Sequence, residues 1–327
     1  MRVFVTGATG FLGGALTRSL VEDGADVHVL SRPTADRRSL HGLSVTWHEG
    51  DVTVPESLKD LFRGFDWIIH ASGRLGQAGV REEAYRRVNV DGTRNVMEAA
   101  LATGEMPRVL HLSSPGILGP TGREPVAESA PIAPTNPYER SKAAAESVAL
   151  EYAAKGLPVL IARPGFIYGP GDRHVLRLFK AIQSGRFLYI DGGESLCQPT
   201  FVADAVAGML ACLRRGKTGE VYQFAGPRPV SFRKLGGAIA AALGVPPPQW
   251  NFPRWLVMAS ARTMEALAYA SGGSWTPPFS RTAVSFFSED RVYSWRKAEQ
   301  ELCYTPECDL SLGLPITVTW YRRYGWL

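Results

Sequence analysis

Cysteine is scarce in this 327-residue chain, which holds only Cys197, Cys212, Cys303 and Cys308. Just the last two lie close together, and no histidine follows them at metal-ligand spacing, so no metal site is expected. Reduced, mostly buried thiols are the expectation. Charge of one sign is lacking too. The formal net charge is +5, and the basic residues include isolated pairs (Arg37-Arg38, Arg214-Arg215, Arg322-Arg323) but no tracts. A nucleic-acid surface would gather them on one stripe with interleaved aromatics, so no such partner is expected. No uncharged apolar run approaches the roughly 20 residues that cross a bilayer. Internal repeats and low-complexity segments are absent. A strand expected from Arg2 leaves no room for a secretory leader, and the anticipated location is cytoplasmic.

What is present is ordinary globular material, 45% hydrophobic and 20% charged. The length exceeds the usual size of one compact domain, which points to a large domain carrying a smaller lobe. In the first half, short apolar runs alternate with helical periodicity, as in a parallel sheet covered on both faces. Strands are expected at Arg2–Thr6, Asp26–Ser31, 45–49, 67–71, Arg108–Leu112 and 159–163. Helices are expected at Phe11–Glu22, 57–62, 82–102 and 138–155. Beyond about Gly169 the pattern loosens. Helices are expected there at 175–183, 203–214, Phe232–Leu243 and 254–269, with Pro246-Pro247-Pro248 and Pro277-Pro278 breaking regular structure. A loop from Pro115 to Pro137 carries six of the 23 prolines, and its length marks it as functional. The expected fold is α/β: a Rossmann doubly wound parallel sheet over 1–168, with some return elements from the second half, and a smaller mixed substrate lobe over 169–327.

Gly7-Ala8-Thr9-Gly10-Phe11-Leu12-Gly13 follows the first strand and opens the first helix. Gly7 permits a tight turn, Gly10 lets backbone approach a pyrophosphate, and Gly13 lets helix and strand pack closely. Thr9, Phe11 and Leu12 complete this expected dinucleotide cradle at a helix N-terminus. The second strand ends in Ser31-Arg32, where sites that prefer NAD place a carboxylate on the ribose. Serine does not repel a 2′-phosphate and a guanidinium grips it, so NADP is expected, with NAD the alternative. The alternative for Arg32 is to stack on adenine or point to solvent. Asp51, followed by Val52, is placed to accept from adenine or to cap the next helix. Ala71-Ser72-Gly73 ends the fourth strand with small residues where a dinucleotide would pass.

Tyr138 and Lys142 stand four apart, hence on one face of a helix. A phenol with an ordinary pKa of about 10 is a poor base. An ammonium at about 4 Å and an effective dielectric of about 20 contributes roughly 4 kcal/mol, enough to lower the phenol by about 3 units at most. Ser113-Ser114 closes the fifth strand, and a hydroxyl there can orient the substrate oxygen whose proton Tyr138 moves.

With these pieces the sequence resembles the extended short-chain dehydrogenases/reductases, the NAD-dependent epimerase/dehydratase group, over essentially its whole length. The matching segments are Gly7–Gly13, Gly50-Asp51-Val52, Asn89-Val90-Asp91-Gly92-Thr93, Ser113-Ser114, Tyr138 to Lys142, Arg163-Pro164 and Tyr168-Gly169-Pro170-Gly171-Asp172. Phe201-Val202-Ala203-Asp204 and 297–306 are similar to that group's C-terminal part. The resemblance implies that Ser114, Tyr138 and Lys142 are catalytic and that Lys142 holds the nicotinamide ribose. Pro164, Gly165, Phe166 and Ile167 would then pass beside the nicotinamide. It also implies a homodimer through the helices that carry Val96, Val148 and Tyr152. Two departures stand out from the sugar-nucleotide epimerases: Phe166 replaces an Asn, and Cys197 replaces an Arg that grips diphosphate. Arg173, His174 or Arg177 would have to substitute for that Arg.

The second half is more similar to the 3β-hydroxysteroid dehydrogenase and dihydroflavonol reductase branches, through 116–120, 229–232 and Arg254–Ala270. That last stretch would line an apolar substrate cleft, touch a membrane surface, or simply pack in the core. The expected function is therefore an NAD(P)-dependent oxidoreductase interconverting a secondary alcohol and a ketone on a steroid-like or lipid substrate. A sugar-nucleotide epimerase or reductase is the alternative, and a non-catalytic dinucleotide sensor a third. Dehydration would need an acid beside Ser114, where Pro115 and Gly116 stand.

Overall fold

The computed structural model describes residues 1–77, 79–270 and 280–327. Short β-branched runs closed by small or polar residues become strands: β1 (Arg2–Thr6), β2 (Asp26–Ser31), β3 (Thr46–Glu49), β4 (Trp67–His70), β5 (Arg108–Leu112) and β6 (Val159–Pro164). Each lies within one residue of its expected bounds. The second half adds β7 (Phe166–Tyr168), β8 (Leu188–Ile190), β9 (Leu196–Cys197), β10 (Pro199–Phe201), β11 (Val221–Phe224), β12 (Val230–Ser231) and β13 (Trp250–Phe252). The helices are α1 (Phe11–Glu22), α2 (Glu82–Tyr85), α3 (Gly92–Leu101), α4 (Pro137–Ala154), α5 (Leu176–Gln183) and α6 (Val202–Arg215). They continue with α7 (Phe232–Leu243), α8 (Arg254–Ala270), α9 (Arg281–Ser288), α10 (Arg296–Leu302) and α11 (Leu310–Arg323).

Seven parallel strands form one sheet in the order β3-β2-β1-β4-β5-β6-β11. Its direction of winding reverses between β1 and β4, and ligands of such sheets bind outside the carboxyl ends at that point. Alternation along the strands feeds two cores. Val3, Val5, Leu110 and Leu112 face α1, α6 and α10, whereas Phe4, Val109 and Ile161 face α3 and α4. The lobe has its own core from α5, α7 and α11, where Phe179, Ile239 and Tyr321 are fully enclosed. Its small two-stranded ladders are of both kinds, β7–β10 and β8–β13 parallel and β9–β12 antiparallel.

Several expectations need correction. The helix expected over 57–62 is only a 3₁₀ turn, Pro55–Leu58. Asp60 takes a left-handed φ of 57°, which ends any helix, and the apolar spacing reflects Leu58, Phe62 and Phe65 each reaching the core separately. The helix over 82–102 ends at Leu101 and is widened by a π turn, Arg86–Asp91, between α2 and α3. The 115–137 loop starts as a 3₁₀ turn and is strapped to the C-terminal half, with Thr121 N donating to Asp290 O at 2.9 Å and Val126 bridging Tyr293. Val96, Val148 and Tyr152 are buried in the core between the sheet and helices α3 and α4. On α8, Val257, Ala261 and Ala268 turn inward while Trp255 and Leu267 are exposed. The Tyr269 side chain and Pro277-Pro278 lie outside the described residues. The four cysteines are free, and only Cys303 is exposed. Among the described residues no helix is long and apolar enough to cross a membrane.

Helix α4 is tied to the sheet by a buried ion pair. Glu146 takes two hydrogen bonds from Arg163 of β6, at 3.0 and 2.5 Å, with side chains 2% and 3% exposed. Breaking such a pair from one side strands the other charge in the core. Arg163→Met is expected to lower unfolding free energy by about 3–5 kcal/mol, and Arg163→Met with Glu146→Met to recover most of it. Urea unfolding measures both, and an equal loss in the double variant would discount the charge argument.

Candidate active site

β1 ends at Thr6, and Gly7 turns the chain with a φ of 76°. A Cβ on Gly7 would lie 2.5 Å from the backbone of Ala71 and Ser72, and one on Gly13 would lie 2.3 Å from Gly7 O. No side chain fits at either position. Gly10 caps α1 without a side-chain bond and the first turn holds no acid, so its N–H groups remain available to an anion. Ala71 N and Ser72 N bond Thr6, while Gly73 is exposed beside them. Ser31 is buried with its hydroxyl donating to Arg32 O. The Arg32 guanidinium is exposed and has no partner among the described residues. Ser39 Oγ donates to Thr9 O at 3.3 Å, which brings the loop after β2 onto the glycine turn. Asp51 accepts from Thr53 N and Oγ1 at 2.8 and 2.9 Å, closing its own turn, and Val52 packs beneath Gly92.

The carboxyl end of β5 and the first turn of α4 bring the three expected catalytic side chains together. Asn136 caps α4 by accepting from Glu139 N at 3.0 Å, and Pro137 fills the first position, where no N–H is needed. Tyr138 follows, half-buried, with the Ser114 hydroxyl near enough to act on its phenol. Burial pushes the phenol up to about 12; the Ser114 hydroxyl pulls it back, and Glu139 and Tyr85 push it further up. The depression expected from Lys142 is not found. Its ammonium instead donates to Leu112 O at 2.5 Å, and burial draws Lys142 down to about 8.

Sequence reasoning missed the groups that surround this trio. The segment after β4 is held over Tyr138 from two sides. Asn89, in the π turn, accepts from Arg74 N at 2.6 Å and donates to Ser141 Oγ at 2.8 Å. Tyr85 O–H accepts from Gln77 N and donates to Gln77 O, and its ring meets Tyr138 at 6.2 Å. Asn89 stood in a quoted motif, but Tyr85 had no signal. Glu139 accepts from Arg291 at 2.9 Å across 152 residues of chain, a contact no local pattern announces. Beneath Lys142, His70 bonds Thr6 Oγ1 at 2.8 Å and Thr93 Oγ1 at 3.0 Å. His111 stands 5.4 Å from it with neither ring nitrogen bonded.

On the lobe side, Pro164 ends β6, and Gly165 N donates to Phe224 O at 2.9 Å. Ile167 pairs with Thr200 between β7 and β10. Phe166 meets Phe286 at 5.3 Å, and Phe286 in turn contacts Phe232 and Phe287. Arg173 leans on Trp326 and reaches Asp36 at 3.5 Å, and His174 is exposed with its N–H on Asp172. Cys197 is enclosed in the lobe core, donating to Val230 O at 3.6 Å, with its thiol pushed far up by burial.

Burial holds His70 down to about 3 from its ordinary 6.5, with the Lys142 charge adding to the effect. The folded state therefore binds fewer protons than the unfolded chain between those values. This group's contribution is complete above pH 6.5 and fades as the pH falls toward 3, by about 1.4 kcal/mol per unit. His70→Gln should flatten the pH dependence of urea unfolding by one proton across that window, and an unchanged slope would contradict it.

The NAD dependent epimerase/dehydratase family matches residues 3–225. The chain is 32% identical to the 4-hydroxy-2-methyl-3-oxo-4-farnesyl-3,4-dihydroquinoline-1-oxide ketoreductase of Stigmatella aurantiaca, covering 96% of this chain and 95% of that one. It is 28% identical to the 2-alkyl-3-oxoalkanoate reductase of Stenotrophomonas maltophilia, over 96% of this chain and 97% of that one. Among solved structures, dTDP-glucose 4,6-dehydratase DesIV from Streptomyces venezuelae, with NAD and TYD bound, superposes with a TM-score of 0.81 at 26% identity, covering 100% of this chain and 98% of that one. The chain thus belongs to the NAD dependent epimerase/dehydratase family and is an NAD-dependent oxidoreductase of the extended short-chain type.

Proposed function

We propose that the enzyme interconverts a secondary alcohol and a ketone on an apolar substrate. The observation that carries this reading is the aromatic wall of Phe166, Phe232, Phe286 and Phe287 beside the end of β6. Such a surface favours hydrocarbon by about 25 cal/mol for each Å² covered. Nothing in it grips a diphosphate: Cys197 is sealed in the core, and Arg173 is engaged with Asp36 and Trp326. The two relatives named above are both reductases of oxo compounds, and their names specify substrates with farnesyl or alkyl groups.

The cradle of Gly7, Gly10 and Gly13 fits a dinucleotide, with Ser72 and Gly73 beside the turn and Pro164 to Ile167 at the far end. When bound, the cofactor gives or takes a hydride at its nicotinamide ring. The chain's own residues handle the proton. Tyr138, protonated at neutral pH, donates to the oxygen of a ketone being reduced. Ser114 holds that oxygen, and Lys142 stands one turn along the same helix with its ammonium on Leu112 O. Tyr138→Phe is expected to lower turnover by about 10²–10⁴ while dinucleotide binding stays within about twofold of wild type, as read by fluorescence titration. Retained turnover would remove Tyr138 from the mechanism. A panel of hydroxysteroids and 2-alkyl-3-oxo esters against UDP- and GDP-sugars, followed at the nicotinamide absorbance, tests the substrate class; turnover of the sugars alone would overturn it.

We propose NADP as the preferred cofactor. Ser31 and Arg32, not a carboxylate, stand at the end of β2, and the free Arg32 guanidinium lies on the loop that Ser39 ties to the glycine turn. Arg32→Ala should weaken NADP binding about tenfold, or about 1.4 kcal/mol, and leave NAD unchanged. Equal weakening of both cofactors would count against a 2′-phosphate contact.

A further inference from the structure

Glu139 sits immediately after Tyr138, where an uncompensated negative charge would hinder loss of the phenol's proton. It is 5% exposed and fully engaged. Oε2 accepts from Thr135 N at 2.7 Å and Thr135 Oγ1 at 2.8 Å, and Oε1 accepts from Arg291 Nη1 at 2.9 Å. Arg291 is itself buried, and its Nε is unbonded. The segment that carries it is anchored to the lobe: Arg291 N donates to Leu196 O, and Leu196 N to Asp290 Oδ1. Behind Arg291 stands Glu289, 3.7 Å from Nη2, which pairs at 2.5 Å with Arg254 at the start of α8. A Cβ on Gly116 would lie 3.3 Å from Ser114 Oγ and 3.5 Å from Glu139 Oε1, so the carboxylate and the Ser114 hydroxyl flank one small space.

We propose that Glu139 and Arg291 are positioning residues: a balanced pair of buried charges that joins the Tyr138 helix to the substrate lobe and sets how readily Tyr138 parts with its proton. This rests on Tyr138 being the proton-transfer group. The other groups acting on the phenol are Tyr85 on α2 and Ser114 after β5, while Lys142 on its own helix turns to Leu112 O; Tyr293 and Glu289 lie behind Arg291. Glu139 raises the phenol, as a like charge must, and Arg291 is the cation bonded to that carboxylate. Arg291 therefore links the occupancy and position of the lobe to the chemistry through one hydrogen-bonded pair.

The test uses the full-length enzyme reducing ethyl 2-methylacetoacetate with NADPH, with the basic limb of kcat against pH as readout. Two groups shape that limb, Lys142, drawn down to about 8, and Tyr138, pushed up to about 12, and the readout is the Tyr138 step. Glu139→Gln removes the negative charge and should move the limb down by about one pH unit, whereas Arg291→Met isolates it and should move the limb up by about as much. The double variant should return near the wild-type limb. A purely structural pair would lower kcat in both variants without moving the limb in opposite directions. The proposal stands only if the two shifts have opposite signs. Arg291→Lys, which keeps the charge, should keep the wild-type limb, and it decides the matter if Glu139→Gln does not fold; a displaced limb in that variant overturns the proposal. Tyr138→Phe, run alongside, separates the two levels. Full turnover there removes the reading of Tyr138 itself, whereas an inactive Tyr138→Phe with unmoved limbs removes only this proposal.

Discussion

The hydrogen bond from Lys142 to the Leu112 carbonyl is the point at which the site is fixed to the fold. A lysine ammonium is costly to bury, and it draws down to about 8 where it lies. The geometry propagates in both directions. Toward the chain start of α4, it sets Tyr138 one turn away, beside Ser114 at the end of the same strand. Toward the other end, Glu146 meets Arg163 on the neighbouring strand, so α4 is pinned to β5 and β6 at successive turns. A helix held twice along one face has little freedom to rotate, and a proton donor needs that constancy.

The floor beneath this helix is polar but uncharged. His70 and His111 are paired residues of β4 and β5, and alternation turns both toward α3 and α4. Burial and the neighbouring ammonium hold both below their ordinary value, so neither competes with Lys142 for positive charge at neutral pH. The site therefore carries one cation below the phenol and one balanced pair, Glu139 with Arg291, beside it. Where charge develops on an oxygen during proton transfer, such fixed groups act without reorganising.

Much of this was legible in sequence because it is local. The glycine turn, the strand-end serines and the Tyr138–Lys142 spacing each sit within a few residues, and their geometry follows from strand and helix periods. The first six strands obey the same rule. What escaped is long-range or irregular. The π turn that aims Asn89 at Arg74 and Ser141 has no distinctive period. The strand β11, the outermost of the sheet, is only four residues long and far from its partner in sequence. Helix α11 contains Pro315, which argues against a helix on local grounds, yet the lobe core of Leu314, Val318 and Tyr321 overrides it. The expected pull of Lys142 on Tyr138 failed for a different reason. Spacing places two side chains on one face, but it does not say that the ammonium will turn to a strand carbonyl.

The substrate question turns on the same distinction between position and direction. Cys197 and Phe166 were singled out because they replace polar residues of the sugar-nucleotide enzymes, and their fates differ. Cys197 is swallowed by the lobe core, so its contribution is to remove a cation rather than to touch a ligand. Phe166 remains half-buried and extends into an aromatic cluster that reaches α9. Aromatic rings stacked edge to face keep their shape at low entropic cost, so a wall made of them selects bulk and apolar character more than hydrogen-bonding pattern. Arg173, one of the residues that would have to supply a diphosphate grip, is drawn away to Asp36 and Trp326. On the proposed reading, specificity rests on two separable parts: a proton-transfer corner at the carboxyl end of the sheet, and an aromatic lobe surface that selects which carbonyl reaches it.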